Sequence, residues 1–167
     1  SSPNGVADTV NLNDTTEVTV QAALSGTYTI APTGGDFSSL TAAVTALNNY
    51  GVCSAVTFNI QPGTYNETVT IDEIPGASAT NTVTFNGTDV DNCIVQYNTS
   101  SSYTWVIGLN GTDHVRIQNL TLNATGSTYG YGVFFTNQAD SNKISGCKIN
   151  VSTTSTNTIC MGICAST

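Results

Sequence analysis

The sequence predicts an all-β protein built as a parallel β-helix, a solenoid in which each turn of chain stacks on the turn before it. Most of the chain consists of short runs rich in Val, Ile, Phe and Thr, separated by Gly, Asn and Asp. The sequence also repeats at an offset of 27 residues: Val56-Thr57-Phe58-Asn59 recurs as Val83-Thr84-Phe85-Asn86, and residues 105–123 align without a gap on residues 132–150. A fixed offset predicts stacked rungs of about 27 residues rather than a β-sandwich.

The repeat also assigns residues to faces. We expect its apolar positions to point into the solenoid, and Asn119 and Gly146 to occupy a corner where left-handed backbone is common. The residues predicted to point inward are Val83, Phe85, Val106, Ile117, Leu120, Leu122, Val133, Phe135, Ile144 and Ile149.

One helix is predicted, over residues 37–50. Apolar residues recur at spacings of three and four from Leu40 to Leu47, Asp36 or Ser38 is available as the N-cap, and Gly51 follows the last turn. Because the open end of a β-helix exposes unpaired backbone and apolar surface, a helix before the first rung is expected to cap that end.

An alternating run precedes this helix and predicts an N-terminal extension strand with no partner inside the repeat. The residues expected to face one way in this assembly strand are Val18, Val20, Ala22 and Leu24. The chain is therefore divided into an extension, residues 1–25, and a β-helix domain, residues 26–167.

Charge excludes several classes of partner. The 167 residues contain 3 Lys and Arg against 11 Asp and Glu, for a net charge of −8. Nucleic acids and anionic membrane surfaces require clustered cations, so neither is an expected partner. No run approaches the roughly 20 apolar residues of a membrane-spanning helix, so no membrane insertion is expected.

The cysteines indicate disulfides rather than a metal site, because there is no C-x-x-C pair and only one histidine. We expect no metal and no cofactor. Together with very low Lys and high Thr and Asn, the predicted disulfides favour an extracellular or cell-surface location. The candidates for pairing are Cys53, Cys93, Cys147, Cys160 and Cys164.

Two segments resemble a known superfamily. Gly35-Asp36-Phe37 before the helix and Pro62-Gly63-Thr64-Tyr65-Asn66-Glu67 after it resemble the N-terminal half of right-handed β-helix proteins of the pectin-lyase-like superfamily. Residues 74–85 look most like large surface proteins of gliding bacteria exported by type IX secretion. The resemblance covers residues 25–167 and implies a right-handed parallel β-helix.

Pectin methylesterases of this superfamily carry catalysis on two glutamines, two aspartates and an arginine from adjacent rungs. At the aligned positions this chain has Gly130 and Tyr131 in place of a glutamine-led run, and Asn150-Val151-Ser152-Thr153 in place of a Gln-Asp-Thr signature. The resemblance therefore implies no catalytic residue, and we do not expect an enzyme of that kind.

Three polar groups are candidates for sites. Asp89-Val90-Asp91-Asn92 begins like a calcium loop but lacks its glycine and distal glutamate, which favours an ordinary turn. Asp113, His114 and Arg116 contain acid and base groups, but neighbouring side chains on a strand diverge. Asp72-Glu73 is expected to be a solvated turn pair.

Aromatic residues offer another kind of site, because rings along one face of a solenoid can stack on sugars; packing in the core or in loops is the alternative. The residues in question are Tyr97, Tyr103, Trp105, Tyr129 and Tyr131.

Glycan acceptors are also suggested by the sequence. Thr9 and Thr15 fit an O-glycan pattern implied by the gliding-bacterial resemblance, and eight Asn-x-Ser/Thr sequons are present. The sequon asparagines are Asn13, Asn66, Asn86, Asn98, Asn110, Asn119, Asn123 and Asn150.

The C-terminal residues predict an open rung. The stretch from Cys160 to Cys164 falls inside what should be a further rung and no capping signal follows, so Met161 and Ile163 are expected to be uncovered. We expect a non-enzymatic extracellular structural protein, a β-helix subunit of a filament, stalk or adhesin. Its partners would be copies of itself, head to tail, or the rest of a longer solenoid. The alternative is a carbohydrate-active enzyme or carbohydrate-binding module acting on acidic polysaccharide.

Overall fold

The computed structural model describes residues 22–152 and 160–166. Within them the chain forms one helix and thirteen strands. The elements are β1 (Leu24–Ile30), α1 (Leu40–Tyr50), β2 (Val52–Ile60), β3 (Gly63–Asn66), β4 (Val69–Asp72), β5 (Val83–Gly87), β6 (Cys93–Tyr97), β7 (Trp105–Asn110), β8 (Val115–Gln118), β9 (Thr121–Ala124), β10 (Gly130–Thr136), β11 (Lys143–Ser145), β12 (Lys148–Asn150) and β13 (Cys160–Ala165).

The strands form three parallel sheets. Sheet A has the order β1-β2-β5-β8-β11, sheet B has the order β3-β6-β9-β12, and sheet C has the order β4-β7-β10-β13. From β2 onward the chain places one strand in each sheet before it returns to sheet A, which makes about four turns of a solenoid. The predicted parallel β-helix is confirmed.

The predicted offset of 27 residues holds for two strand pairs of sheet A and two of sheet B, whereas β5 pairs with β8 at an offset of 32 and β3 with β6 at an offset of 30. Val56 pairs with Val83, Ile117 with Ile144, and Asn123 with Asn150. On sheet C the gapless alignment is wrong by one residue: Val133 pairs with Ile107 rather than with Val106. Counted between paired residues, the connection from Thr136 to Lys143 is one residue longer than the connection from Asn110 to Arg116. It contains two consecutive residues with left-handed backbone, Asn137 and Gln138.

The core lies inside the coil, as predicted. Seven of the ten residues predicted to point inward are buried, and Phe135, Ile144 and Ile149 are partly buried against them. Along sheet A the ring of Phe58 stacks on that of Phe85, with ring centroids 5.0 Å apart. Each rung therefore buries its apolar side chains against the rungs on either side.

The tight corner between sheets A and B is also confirmed. Asn119 has φ 56° and Gly146 has φ 63°, so the chain turns there through the left-handed region.

The helix is shorter than predicted, and its N-cap is Ser39 rather than Asp36 or Ser38. The Ser39 hydroxyl accepts from the Ala42 N–H at 3.0 Å. Asp36 is occupied elsewhere, because its carboxylate accepts from the Thr29 N–H at 2.7 Å. Gly51 ends the helix at φ 63°, as predicted. The helix buries Leu40, Ala43, Val44 and Leu47 against the first turns of the solenoid.

The extension strand differs from its prediction. Leu24 is buried, begins β1 and pairs with Val52, so it is part of the first rung and not of a free strand. Of the other residues of that run, Ala22 is exposed, and Val18 and Val20 lie outside the described residues.

The predicted disulfides are not formed, since all five cysteines are free thiols. Cys93 and Cys147 stand in the same column of sheet B but are two rungs apart, about 9.6 Å, with Leu120 between them. Cys160 and Cys164 are four residues apart on β13, which separates their Cα atoms by about 13 Å. Bonded cysteines need Cα atoms within roughly 7 Å.

Candidate functional site

An aromatic stack stands on the outer face of sheet C. The ring of Phe134 is parallel to that of Trp105 at 5.4 Å and to that of Tyr131 at 5.0 Å, with interplanar angles of 12° and 11°. Trp105 and Tyr131 are paired in register on β7 and β10, and Phe134 stacks on both of their rings. The stack joins two neighbouring rungs, and all three of its side chains are half-buried.

The backbone of sheet C makes room for this stack. Val106 and Ile107 are both buried although they are consecutive, so the strand departs from simple alternation and Trp105 points outward. The indole lies over Gly108, where an added Cβ would sit 2.6 Å from Trp105 Nε1. The same Nε1–H donates to Thr70 Oγ1 at 3.2 Å, which fixes the plane of the ring.

Only some of the predicted aromatic face is assembled. Trp105 and Tyr131 belong to the stack, whereas Tyr97 and Tyr103 form a separate edge-to-face pair at 6.0 Å. Tyr129 contributes its carbonyl, which accepts from the Thr99 hydroxyl. Sequence reasoning missed Phe134, whose spacing of three residues from Tyr131 was the available signal.

Two apolar side chains of β13 are exposed. Ile163 is 52% exposed and Met161 is 41% exposed. Their equivalents one rung earlier are Val133, which is fully buried, and Tyr131. Beside them, burial raises the pKa of the Tyr131 hydroxyl above 10.0, and the neighbouring Cys164 and Cys160 thiols add to that rise.

A polar cavity of about 120 Å³ lies at the corner between sheets C and A. Glu73, Asp113 and His114 all line it. Sequence reasoning treated Glu73 as part of one turn and Asp113 and His114 as part of another. One oxygen of Asp113 accepts from the Asp140 N–H at 2.8 Å, and His114 has a left-handed φ of 61°. Arg116 does not line this cavity but lies exposed on β8.

The turn at Asp89 to Asn92 is closed by its own hydrogen bonds. Asp89 accepts from the Asp91 N–H at 2.9 Å and from the Asn92 amide at 2.7 Å, and these bonds lower the pKa of its carboxyl below 3.8. Asp91 forms an ion pair with Lys148. Across the described ranges, no three His, Cys, Asp or Glu side chains are placed to share a metal ion.

Most of the sequon asparagines among the described residues form side-chain hydrogen bonds with polar residues of a neighbouring rung. Asn86 donates to Asn59, Asn119 donates to Asn86, and Asn150 donates to Asn123, over 2.8 to 3.1 Å. Two further sequon asparagines make side-chain hydrogen bonds to a neighbouring rung: Asn110 donates to Asp72 at 2.7 Å, and Asn66 accepts from Gln96 at 2.8 Å.

Of the remaining candidate glycan acceptors, one lies among the described residues. Asn98 is exposed in the loop after β6. Thr9, Asn13 and Thr15 lie outside the described residues.

Among the residues that the structure describes, there is no helix with both the length and the apolar character needed to cross a membrane.

Comparison with known proteins places the fold. A pectin methylesterase from carrot is similar in structure, with a TM-score of 0.57 and 14% sequence identity, over 80% of this chain and 41% of that one. The molecule is thus a parallel β-helix protein with a pectin-lyase-like fold, and it spans about two fifths of the length of the carrot enzyme. No protein family model matches the chain, and no curated protein matches it.

Proposed function

We propose that this chain is a non-enzymatic extracellular structural protein, a β-helix subunit of a surface filament, stalk or adhesin that assembles through its last rung. The observation that carries this proposal is an interior column of sheet C. Val69, Ile107 and Val133 are at most 5% exposed, whereas the next residue of the column, Ile163, is 52% exposed.

The exposed column favours a further rung as the partner. Burying one such side chain contributes about 1.5–3 kcal/mol. Strands β11, β12 and β13 each have a neighbouring strand on one side only among the described residues, so their other edges offer backbone donors and acceptors for strand addition. A contact between two different ends does not close on itself, so it would produce a fibre.

The residues at the positions where the superfamily resemblance implies catalysis make contacts of another kind. Tyr131 packs in the aromatic stack and Asn150 bonds Asn123, so neither occupies the role of a methylesterase glutamine or aspartate. The extracellular assignment is supported by the low Lys content and the Thr- and Asn-rich composition.

Sedimentation velocity and electron microscopy of the purified chain test this proposal. We expect concentration-dependent association into linear particles, and Ile163→Asp should abolish it by placing a charge in the buried contact. Tyr103→Asp is the matched control, because Tyr103 is 53% exposed but lies on a lateral loop. A particle that stays monomeric at high concentration contradicts the proposal.

The aromatic stack favours carbohydrate binding as a second candidate function, with acidic polysaccharide as the substrate class. The half-buried rings of Trp105, Phe134 and Tyr131 form one aromatic cluster on sheet C, and the Trp105 indole N–H bonds the Thr70 hydroxyl. Rings with hydroxyl groups beside them suit the mixed apolar and hydroxyl surface of a sugar. Affinity electrophoresis in pectin or alginate tests it: retarded migration that Trp105→Ala removes supports binding, and release of methanol or unsaturated uronate would overturn the non-enzymatic proposal.

A further inference from the structure

Charge is distributed unevenly along the axis of the solenoid. Position in the chain corresponds to position along the axis, because each rung adds to the one before it. Of the described residues, those before position 92 include six of the eight acidic residues and none of the three cations. The acidic residues of this segment that the structure describes are Asp36, Glu67, Asp72, Glu73, Asp89 and Asp91. All three cations, Arg116, Lys143 and Lys148, lie on the last two turns.

Sheet A carries opposite charges at its two edges. At the first edge, Phe37 bridges Ile30 of β1, and exposed Asp36 lies beside it. At the other edge Lys143 stands on β11, in register with Arg116 of β8. A second copy placed in line would bring the exposed Asp36 of one chain toward the Lys143 side of the other.

Two of the three cations have no carboxylate partner among the described residues. Lys148 pairs with Asp91, but Arg116 and Lys143 form no ion pair with any of the described residues. Both side chains are exposed, and they are direct neighbours on adjacent strands. Like charges placed directly opposite each other lower the stability of a sheet. An anionic group placed across the pair would relieve this repulsion.

We propose that charge sets the direction of assembly, with the Arg116 and Lys143 end of one copy bound to the acidic first turn, including Asp36, of the next copy. This inference rests on the proposed structural function and adds its polarity. Association of two like ends would place acid against acid or cation against cation, which is repulsive. Head-to-tail contact is the arrangement in which the charges attract.

Sedimentation velocity of the full chain at two salt concentrations tests the electrostatic contribution. Raising salt from about 20 mM to about 500 mM shortens the Debye length from roughly 20 Å to roughly 4 Å. We expect the dissociation constant of self-association to rise about tenfold, as two exposed ion pairs are screened. The double variant Arg116→Glu, Lys143→Glu should remove association at low salt. Thermal unfolding of the variant shows whether it remains folded.

A charge exchange identifies the contacting ends. Asp36→Lys alone should also weaken association, and mixing it with the double variant should restore pairing between the two chains. Lys148→Gln is the control, since it removes a cation that is already paired.

The outcomes distinguish the two proposals. Association that ignores salt and the double variant but is lost in Ile163→Asp overturns the polarity inference and leaves the structural function standing. Weakening by Lys148→Gln equal to that of the double variant also overturns the inference, because net charge alone would explain it. No association at low salt overturns both proposals.

Discussion

The carboxylate of Glu67 holds the first turn of α1: it accepts from the Thr41 N–H at 2.8 Å and from the Leu40 N–H at 3.2 Å. It also accepts from the Thr41 hydroxyl. Two of the four N–H groups that a helix leaves unsatisfied at its start are therefore bound by a residue of the second rung. Through Glu67, the Gly-x-Tyr-x-Glu pattern of residues 63–67 thus attaches the capping helix to the solenoid.

Glu67→Ala should destabilise the fold by about 1–3 kcal/mol, since it leaves two helix N–H groups and the Thr41 hydroxyl without their acceptor. Urea denaturation followed by circular dichroism measures the loss. Glu73→Ala is the matched control, an exposed carboxylate with no helix to cap, and it should lie within about 0.5 kcal/mol of the parent. An unchanged midpoint for Glu67→Ala would show that the cap contributes nothing.

Gly108→Ala should displace the indole of Trp105, because the new Cβ would approach its Nε1 to 2.6 Å. Trp105 is the single tryptophan of the chain, so its fluorescence should shift to longer wavelength as the ring leaves the stack. Gly162→Ala, also on sheet C, is the control, since its Cβ would meet Ile149 at an ordinary 3.6 Å. Identical spectra for the two variants would rule out this steric argument.

Asn86 stands at the centre of a polar ladder, donating to Asn59 and accepting from Gln118 at 3.3 Å and Asn119 at 3.0 Å. Asn86→Ala should therefore cost about 1–3 kcal/mol of stability in urea denaturation, as three neighbours lose a partner. Asn98→Ala, at an exposed sequon, should cost much less. The reverse order would contradict a structural role for the ladder.

Five titratable thiols are expected in the denatured, unreduced protein, because all five cysteines are free. In the folded protein Cys53 should react quickly with a thiol reagent, since it is exposed, and Cys93 should react only on unfolding, since it is buried. A denatured count of three or one would instead show that disulfides form.

Alkaline pH should destabilise the fold through Tyr65. Burial raises the pKa of its hydroxyl above 10.0, and that hydroxyl donates to the carbonyls of Gln61 and Ile30 at 2.9 and 3.2 Å. The unfolded chain then loses this proton first, so stability present below pH 10 falls as pH rises from 10.0 through the folded value. Tyr65→Phe should cost about 1 kcal/mol at neutral pH and flatten that decline in denaturation curves. An equally steep decline in the variant would assign it to other groups.

The sequence predicted the solenoid because its determinants are local and periodic. Neighbouring rungs place Val, Ile or Phe at the same register, as Phe58 and Phe85 show, so where two rungs have equal length their offset predicts both the pairing and the buried face. The helix could be predicted in the same way, but its N-cap could not. Asp36, Ser38 and Ser39 all suit the N-cap position, and only the folded structure shows that the Asp36 carboxylate instead accepts from the Thr29 N–H.

The candidate sites were less predictable because they depend on turns of unequal length. One extra residue after β10 shifts the register of sheet C, so a gapless alignment cannot place Val133 beside Ile107. Departure from simple alternation turns Trp105 outward and brings it onto Phe134. Likewise, Glu73 and His114 are 41 residues apart in sequence and share a cavity only because their turns stack at one corner.

The parallel pairing between rungs also determines how the molecule bears load. Its ladder hydrogen bonds run along the solenoid axis, so a pulling force along that axis acts on all three sheets of one interface at once. The rungs would then separate in succession, a single interface at each step, and every detached rung would release its own length of chain. A filament of such solenoids would lengthen in steps under tension and shorten again as the rungs restack.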